Sequence, residues 1–171
     1  MDFQQEVATI LQVDNPSARL EAYKKLVDVL VSKGLADQLQ HLIDHLMDES
    51  VQPINSRPSM DYLAERISAL KDEPLRGLCS YGIARLESRL ASFEEADERM
   101  KRHLADILIN EEDYCGAATT LASINLESRG QRISGEEKAK MYLRISELYL
   151  EADETVTAET FIKRVSLHID Q

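Results

Sequence analysis

Apolar residues recur at intervals of three and four positions along almost the whole chain, the spacing that places them on one face of an α-helix. Six glycines and four prolines are too few to supply the many turns of an all-β fold. The sequence therefore predicts an all-α protein without β-sheet. The predicted helices cover residues 2–12, 16–34, 35–46, 59–71, 74–90, 93–109, 113–124, 135–150 and 154–168.

Several of these helices begin at recognisable capping sequences. Asn15-Pro16 combines an amino-terminal cap with proline at the first helical position, where a backbone N–H is not needed. Ser92-Phe93-Glu94-Glu95 and Ser134-Gly135-Glu136-Glu137 have the form of capping boxes, in which serine and glutamate bond to each other's backbone N–H. We expect Asp113 to cap a short helix, and Gly34 to end the second helix in a left-handed conformation.

The last four predicted helices repeat at an offset of 41 residues. The paired positions are Leu104 with Ile145, Ile107 with Leu148, Leu108 with Tyr149, Ala117 with Ala158, Leu121 with Ile162, and Ile124 with Val165. A fainter third copy, over residues 26–46, lies 78 residues before the first. A single helical hairpin cannot cover its own apolar face, so hairpins have to stack. The predicted fold class is therefore an α-solenoid of antiparallel helix pairs, similar to tetratricopeptide and HEAT repeats, and a helical bundle with accidental periodicity is the alternative.

This pattern divides the chain into three regions. Residues 1–49 are interpreted as amino-terminal helical hairpins, residues 50–91 as an irregular helical linker region, and residues 92–171 as two repeat units. Within the second region, residues 50–58 contain two prolines and predict an ordered connection between helices. Six aliphatic side chains are expected to be mostly buried in the repeat: Leu104, Leu108, Leu121, Ile145, Leu148 and Ile162.

The net charge and the cysteine content restrict the partners and the compartment. With 31 acidic residues against 20 lysines and arginines, the chain carries a formal charge of −11, which disfavours nucleic acid and anionic membrane surfaces and favours a basic protein partner. Cys79 and Cys115 are too few for a disulfide framework, and we expect both to be partly buried thiols in a reducing compartment. No secretory leader or long apolar run is recognisable, so we expect no membrane span and a cytoplasmic and nuclear location.

The sequence contains no recognisable catalytic, metal-binding or cofactor-binding motif. His41 and His45 lie one helical turn apart, a spacing that suits zinc, but Leu42 occupies the place of the catalytic glutamate and no third ligand is close in sequence. We therefore expect both histidines to be solvated and no metal to bind. Glycine-rich phosphate loops and nucleophile elbows are absent from the sequence. We predict that the protein is not an enzyme and needs no cofactor; an active site assembled from distant residues is the alternative.

Two acidic segments become equivalent when the repeat copies are superposed. Asn110-Glu111-Glu112-Asp113 falls over Glu151-Ala152-Asp153-Glu154, and both are predicted turns between the two helices of a hairpin. Equivalent turns of stacked hairpins line one edge, so these segments predict an acidic strip. The candidate partner-binding residues are Glu111, Glu112, Asp113, Glu151, Asp153 and Glu154. The alternative is that these carboxylates only cap helices and remain solvated.

An ordered series of short motifs in the second half resembles a known family. The series comprises Ser92-Phe93-Glu94-Glu95, Arg102-His103-Leu104-Ala105, Glu111-Glu112-Asp113-Tyr114, Ala117-Ala118, Ile124-Asn125-Leu126-Glu127-Ser128, Leu148-Tyr149-Leu150-Glu151, Ala158-Glu159-Thr160-Phe161-Ile162, Arg164 and Ser166-Leu167. It resembles the subunit 4 family of the COP9 signalosome, the complex that removes the ubiquitin-like protein Nedd from cullins. The resemblance covers about residues 92–168.

The resemblance implies a function as well as a fold. Members of this family are non-catalytic scaffolds, and the metalloprotease site belongs to another subunit. Their amino-terminal arm of helical repeats helps to engage the cullin-RING substrate, and a carboxyl-terminal PCI domain, which we expect to be absent from this chain, builds the complex. The implied partners are other signalosome subunits and a cullin-RING ubiquitin ligase. A paralogous scaffold subunit of the proteasome lid and a free-standing peptide-binding adaptor are the alternative functions.

Overall fold

A computed structural model describes residues 2–127 and 133–169. The chain divides into two compact units, residues 1–103 and 104–171, with the boundary inside one helix. In chain order the helices are α1 Phe3–Leu11, α2 Pro16–Ser32, α3 Ala36–Met47, α4 Pro53–Arg66, α5 Asp72–Leu86, α6 Glu94–Asn110, α7 Tyr114–Ala122, α8 Gly135–Glu151 and α9 Thr155–Ile169. The described residues contain no strand, and the prediction of an all-α helical-repeat fold is confirmed.

Helix α2 begins and ends as its sequence predicts. The Asn15 side chain accepts hydrogen bonds from the backbone N–H groups of Ser17 and Ala18, and Pro16 occupies the first helical position. At the other end, Gly34 adopts a φ of 65°, which glycine reaches without the steric cost of a β-carbon. The helix buries Tyr23 and its aliphatic stripe in the first unit.

The helices of the first unit stack in register. Helix α2 packs against α4 and α3 packs against α5, so the first helix of one hairpin meets the first helix of the next and the second meets the second. This is the arrangement of a helical-repeat stack, in which each unit covers the apolar face of its neighbour. Residues 53–86, within the predicted irregular linker region, therefore continue the series.

The prediction of a connection over residues 50–58 is wrong, because α4 begins at Pro53 and contains Pro58. Proline at the first helical position costs nothing, whereas Pro58 removes one backbone hydrogen bond inside the helix. Tertiary packing compensates for that loss. Asn55 is buried and its amide donates to the carbonyl of Pro16 at 2.9 Å, and Met60, two residues beyond the proline, is fully buried.

The region before α6 also differs from prediction. Helix α5 ends at Leu86 and a 3₁₀ segment follows over Glu87–Ser92, interrupted by a non-helical backbone at Arg89. Ser92 belongs to that segment, and α6 begins at Glu94, one residue later than the predicted capping box requires. The buried ring of Phe93 directly precedes α6.

The second unit is built around α8 and α9, which run antiparallel. The ring of Tyr149, near the end of α8, lies 5.7 Å from the ring of Phe161, and Tyr142, two turns earlier, stacks at 5.8 Å on His168 near the end of α9. At the start of α8, a β-carbon on Gly135 would lie 3.3 Å from the backbone oxygen of His168, so the close approach of the two helices favours glycine there.

The core of the second unit confirms half of the predicted buried set. Leu121, Ile145 and Leu148 are 6%, 1% and 2% exposed. Leu104 and Leu108 are only half-buried, and the prediction for Ile162 is wrong because that side chain is 44% exposed. Four buried alanines also contribute to the core: Ala105, Ala117, Ala118 and Ala158.

The predictions for the cysteines and for one histidine need correction. Cys79 is fully buried, and burial raises the pKa of its thiol to about 12, whereas Cys115 is exposed. His45 is half-buried and not simply solvated. Its Nε2 lies 2.8 Å from the hydroxyl of the buried Tyr23, so α3 is tied to α2 at this point.

The repeat has a strict register in the structure. Helices α2, α6 and α8 each contain 17 residues, and their first residues, Pro16, Glu94 and Gly135, are separated by the predicted offsets of 78 and 41. The helices that follow them begin at Ala36, Tyr114 and Thr155, with the same two offsets. The predicted division into residues 1–49, 50–91 and 92–171 stays a prediction.

Candidate functional site

The first acidic turn, Glu111–Asp113, follows directly from the end of α6. The backbone N–H of Asp113 donates to the carbonyl of Leu108 at 2.8 Å, and Glu112 adopts a left-handed φ of 62°. The Asp113 carboxylate then accepts from the N–H of Gly116 at 2.9 Å and caps α7, as predicted. Backbone hydrogen bonds therefore fix the conformation of the turn that carries all three acidic residues.

The second acidic turn repeats this geometry 41 residues later. The N–H of Glu154 donates to the carbonyl of Tyr149 at 2.8 Å, and Asp153 adopts a φ of 60°. Glu151 is the last residue of α8 and Thr155 is the first residue of α9. The two turns therefore occupy corresponding ends of successive hairpins, which is the relationship that the sequence predicts.

A third turn shows that the geometry does not depend on acidic residues. The N–H of Leu35 donates to the carbonyl of Leu30 at 2.9 Å, and Gly34 takes the left-handed position with Lys33 before it. A non-glycine residue costs about 1–2 kcal/mol in this conformation. Glu112 and Asp153 therefore occupy positions at which glycine would satisfy the fold at lower cost.

All six predicted partner-binding residues are exposed. Among the described residues, no basic side chain lies within ion-pair distance of Glu112, Asp153 or Glu154. Asp113 has a local structural role as a helix cap, so the alternative that acidic turn residues cap helices holds for this one carboxylate. The structure thus brings together three acidic residues in each turn; their alignment in one strip across both turns stays a prediction.

Sequence reasoning missed a pair of equivalent carboxylate clusters in the first unit. The hydroxyl of Tyr62 and the guanidinium of Arg66 on α4 both donate to Asp28 on α2, at 2.8 and 2.9 Å. Asp28 thus links the first helices of two successive hairpins. The signal in the sequence is a tyrosine followed four residues later by an arginine, which places both side chains on one face of the helix.

The same pattern occurs between the second helices of these hairpins. Tyr81 and Arg85 on α5 both donate to Asp44 on α3 at 2.7 Å. Burial raises the pKa of Asp44, but the hydrogen bonds from Tyr81 and Arg85 outweigh it, so the pKa lies below its ordinary value. This carboxylate is therefore a charged, structural group that holds successive hairpins in register.

The described residues offer no group of three or more histidine, cysteine or acidic side chains that could hold a metal ion. His41 lies 5.9 Å from the ring of Phe3, and His45 bonds to Tyr23. Within the described part of the chain, no helix combines the length and the apolarity that crossing a bilayer requires.

The sequence matches a family model described as "PSMD12/CSN4, N-terminal" over residues 7–171. Three similar proteins carry the name COP9 signalosome complex subunit 4. The protein of Emericella nidulans is 31% identical over 96% of this chain and 42% of its own length. The proteins of Drosophila melanogaster and Arabidopsis thaliana are 33% and 28% identical, each over 86% of this chain and 37% of their own length. The chain therefore spans about two fifths of the length of these relatives.

Proposed function

Because the chain belongs to the PSMD12/CSN4 N-terminal family, we propose that it is the scaffold arm of a signalosome subunit and has no catalytic centre. Its relatives are named as subunits of the COP9 signalosome. Stacked helical hairpins form extended surfaces for other proteins. The proposed partners within the assembly are other signalosome subunits, and the assembly acts in the cytoplasm and the nucleus.

The observation that supports a binding role is the placement of acidic residues in the two turns of the second unit. Glu112 and Asp153 retain a side chain in a conformation that favours glycine, and both are exposed. Their neighbours Glu111, Glu151 and Glu154 are exposed as well. We propose that the two turns form one acidic edge that meets a basic surface of a cullin-RING ubiquitin ligase.

The charge of the edge sets the kind of partner and the kinetic step. Exposed charges act mainly on the association rate, and salt weakens their effect. A chain with a net charge of −11 repels phosphate backbones and anionic lipid headgroups, so nucleic acid and membrane are not among the proposed partners.

Reversal of the edge charges tests this proposal. In the variant Glu111→Lys, Glu112→Lys, Asp153→Lys and Glu154→Lys, association with a purified cullin-RING complex should slow, most strongly at low salt. The matched control reverses four exposed acidic residues outside the two turns: Asp14, Glu49, Glu87 and Asp106. Stopped-flow or surface plasmon resonance gives the association rate, and circular dichroism shows whether the helices are retained.

Comparison of the two variants separates the edge from the overall charge. A slower association in the edge variant alone supports the proposal. An unchanged rate, or an equal loss in the control variant, removes the edge from the mechanism and leaves the rest of the helical surface as the binding region.

The alternative to a signalosome subunit is a paralogous scaffold subunit of the proteasome lid. Co-purification distinguishes the two assemblies: recovery of signalosome subunits with the chain supports the proposal, and recovery of proteasome-lid subunits in their place supports the alternative.

A further inference from the structure

A groove of about 250 Å³ lies between α1 and α2 in the first unit. Helix α1 contributes Glu6, Thr9 and Ile10 to one wall, and Val13, in the connection to α2, continues it. Ile10 is buried at the bottom and Val13 is half-buried at the side. An apolar cavity of about 150 Å³ holds a benzene molecule, so this groove has room for more than one aliphatic side chain.

Helix α2 supplies the opposite wall with the same spacing. Ala22, Leu26 and Val29 are spaced four and three residues apart, and Lys25 lies three residues after Ala22, so the four residues share one side of the helix. Leu26 is buried, whereas Ala22 and Val29 are half-buried. Two helical faces that converge on an apolar floor are the geometry that receives a third, amphipathic helix.

The internal repeat shows how this face of α2 is used elsewhere in the chain. The equivalent residues of α8 are Met141, Ile145 and Leu148, which are 7%, 1% and 2% exposed. They belong to the core of the second unit, against which the α6 residues Leu108 and Ile109 pack. A face that is covered by helices in α8 is therefore partly open in α2.

Two charged residues on opposite rims set the chemistry that a helix entering the groove would meet. Glu6 on α1 and Lys25 on α2 are both exposed and line the groove, and neither makes an ion pair among the described residues. A helix that enters the groove gains most when one of its flanks is basic and the other is acidic. Its inward face has to be aliphatic to contact Ile10, Leu26 and Val29.

We propose that the α1–α2 groove binds an amphipathic helix of a partner protein. The helix places aliphatic residues, spaced three and four apart, against Ile10, Leu26 and Val29, with a basic flank at Glu6 and an acidic flank at Lys25. This site is independent of the acidic edge, so either of the two can fail without the other.

Three synthetic, hydrocarbon-stapled helices test the site. They share one aliphatic face and differ in their flanks: one flank lysine and one glutamate, both flanks lysine, or both flanks glutamate. Fluorescence anisotropy should show that the mixed helix binds about two- to tenfold more tightly than either of the others, since each matched exposed ion pair contributes about 0.2–1 kcal/mol. The result does not depend on the direction in which the helix lies.

Charge variants of the rims should change this order of preference. Lys25→Glu makes both rims acidic and should favour the helix with two lysine flanks, whereas Glu6→Lys should favour the helix with two glutamate flanks. The matched controls, Lys33→Glu and Glu49→Lys, change the net charge equally at exposed positions that do not line the groove. They should leave the preference for the mixed helix in place.

Disruption of the apolar wall should weaken binding strongly. Val29→Arg inserts a charge into the wall and should weaken binding of the mixed helix more than tenfold. Thr9→Arg, at the rim, should weaken binding by a similar factor, and it changes only an exposed residue. Absence of binding, or an unchanged preference in both rim variants, overturns the proposal. A concentration-dependent dimer in sedimentation experiments that Val29→Arg dissociates would identify a second copy of the chain as the occupant and would also overturn it.

Discussion

Glu112 and Asp153 adopt the same left-handed backbone conformation, with φ of 62° and 60°, in turns that share their hydrogen-bond pattern. The equivalent position of the first hairpin is Gly34, with a φ of 65°. The three turns thus share one backbone conformation, and only one of them has glycine at the left-handed position. The cost of a side chain there is measurable.

We predict that Glu112→Gly and Asp153→Gly each raise the free energy of unfolding by about 0.5–1 kcal/mol. Relief of a left-handed side chain gains about 1–2 kcal/mol, and the extra flexibility of glycine in the unfolded chain returns part of it. The reverse change, Gly34→Ala, should lower the stability by about 1 kcal/mol. A β-carbon at Gly34 meets no atom within 4 Å, so this loss comes from the backbone alone.

Urea denaturation followed by circular dichroism gives the free energy of unfolding of each variant. Glu112→Gln is the control, because it removes the charge and keeps the side chain. If the glutamine variant gains as much as the glycine variant, repulsion between carboxylates in the turn is the source of the cost, and backbone strain is not.

A second prediction concerns the core of the repeat. Ile145→Ala should destabilise the protein by about 2–5 kcal/mol, through lost transfer free energy and the cavity that remains. Ile145 is 1% exposed, whereas Ile162 is 44% exposed, so Ile162→Ala should cost less than about 1 kcal/mol. Chemical denaturation of both variants checks the comparison. Equal losses would mean that the exposure difference does not reflect the packing in solution.

The sequence predicts the helices well where local signals and tertiary packing agree. Asn15 caps α2, Gly34 ends it and Ser134 caps α8, since each of these residues acts on its immediate neighbours. The offset of 41 residues is visible in the sequence because the same face of each hairpin has to be apolar in every copy.

The start of α4 could not be predicted because a tertiary contact overrides the local signal. Two prolines favour a connection, but the buried Asn55 amide, bonded to the carbonyl of Pro16 from a distant part of the chain, stabilises a helix. The exposure of Ile162 was also missed. Periodicity shows that a residue lies on the apolar face of its helix, but it does not show whether another helix covers that face.

Part of the candidate site was within reach of the sequence. The two acidic turns follow from the repeat, whereas the left-handed conformation of Glu112 and Asp153 becomes visible only from the backbone. The bonds of Tyr62 and Tyr81 to aspartates of the preceding hairpin depend on how successive hairpins stack. The α1–α2 groove depends on the angle between two helices, which the sequence pattern does not fix.

A third prediction tests the capping box of α8. The Ser134 hydroxyl accepts from the N–H of Glu137 at 3.1 Å, and the Glu137 carboxylate accepts from the N–H of Ser134 at 3.0 Å. Ser134→Ala should therefore lower the free energy of unfolding by about 0.5–2 kcal/mol. Ser166→Ala, at an exposed position inside α9, is the matched control and should change the stability by less than about 0.5 kcal/mol. Equal free energies of unfolding for the two variants would show that the capping box contributes nothing to stability.

The last prediction concerns acid sensitivity at Glu127. The Tyr142 hydroxyl donates to this carboxylate at 2.8 Å, Lys138 lies 3.5 Å away and His168 lies 3.2 Å away. The hydrogen bond from Tyr142 is the largest cause that holds the pKa of Glu127 below its ordinary value of 4.5, and partial burial opposes it. The folded chain therefore binds a proton here less readily than the unfolded chain does, and this difference stabilises the fold above about pH 4.5.

This contribution should be lost as the pH falls from about 4.5 through the lower pKa of Glu127 in the folded chain. Urea denaturation at a series of pH values should show a shallower fall in stability for Glu127→Gln, because its side chain does not titrate. Tyr142→Phe, which removes the strongest donor, should shift the loss towards higher pH. Glu49→Gln is the control at an exposed residue and should retain the dependence of the native chain. The carboxylate of Glu127 is 59% exposed, so solvent reduces the size of the effect but leaves its sign unchanged. Identical pH profiles for the native chain and Glu127→Gln would assign the acid sensitivity to other carboxylates, of which the hydrogen-bonded Asp44 is the first to examine.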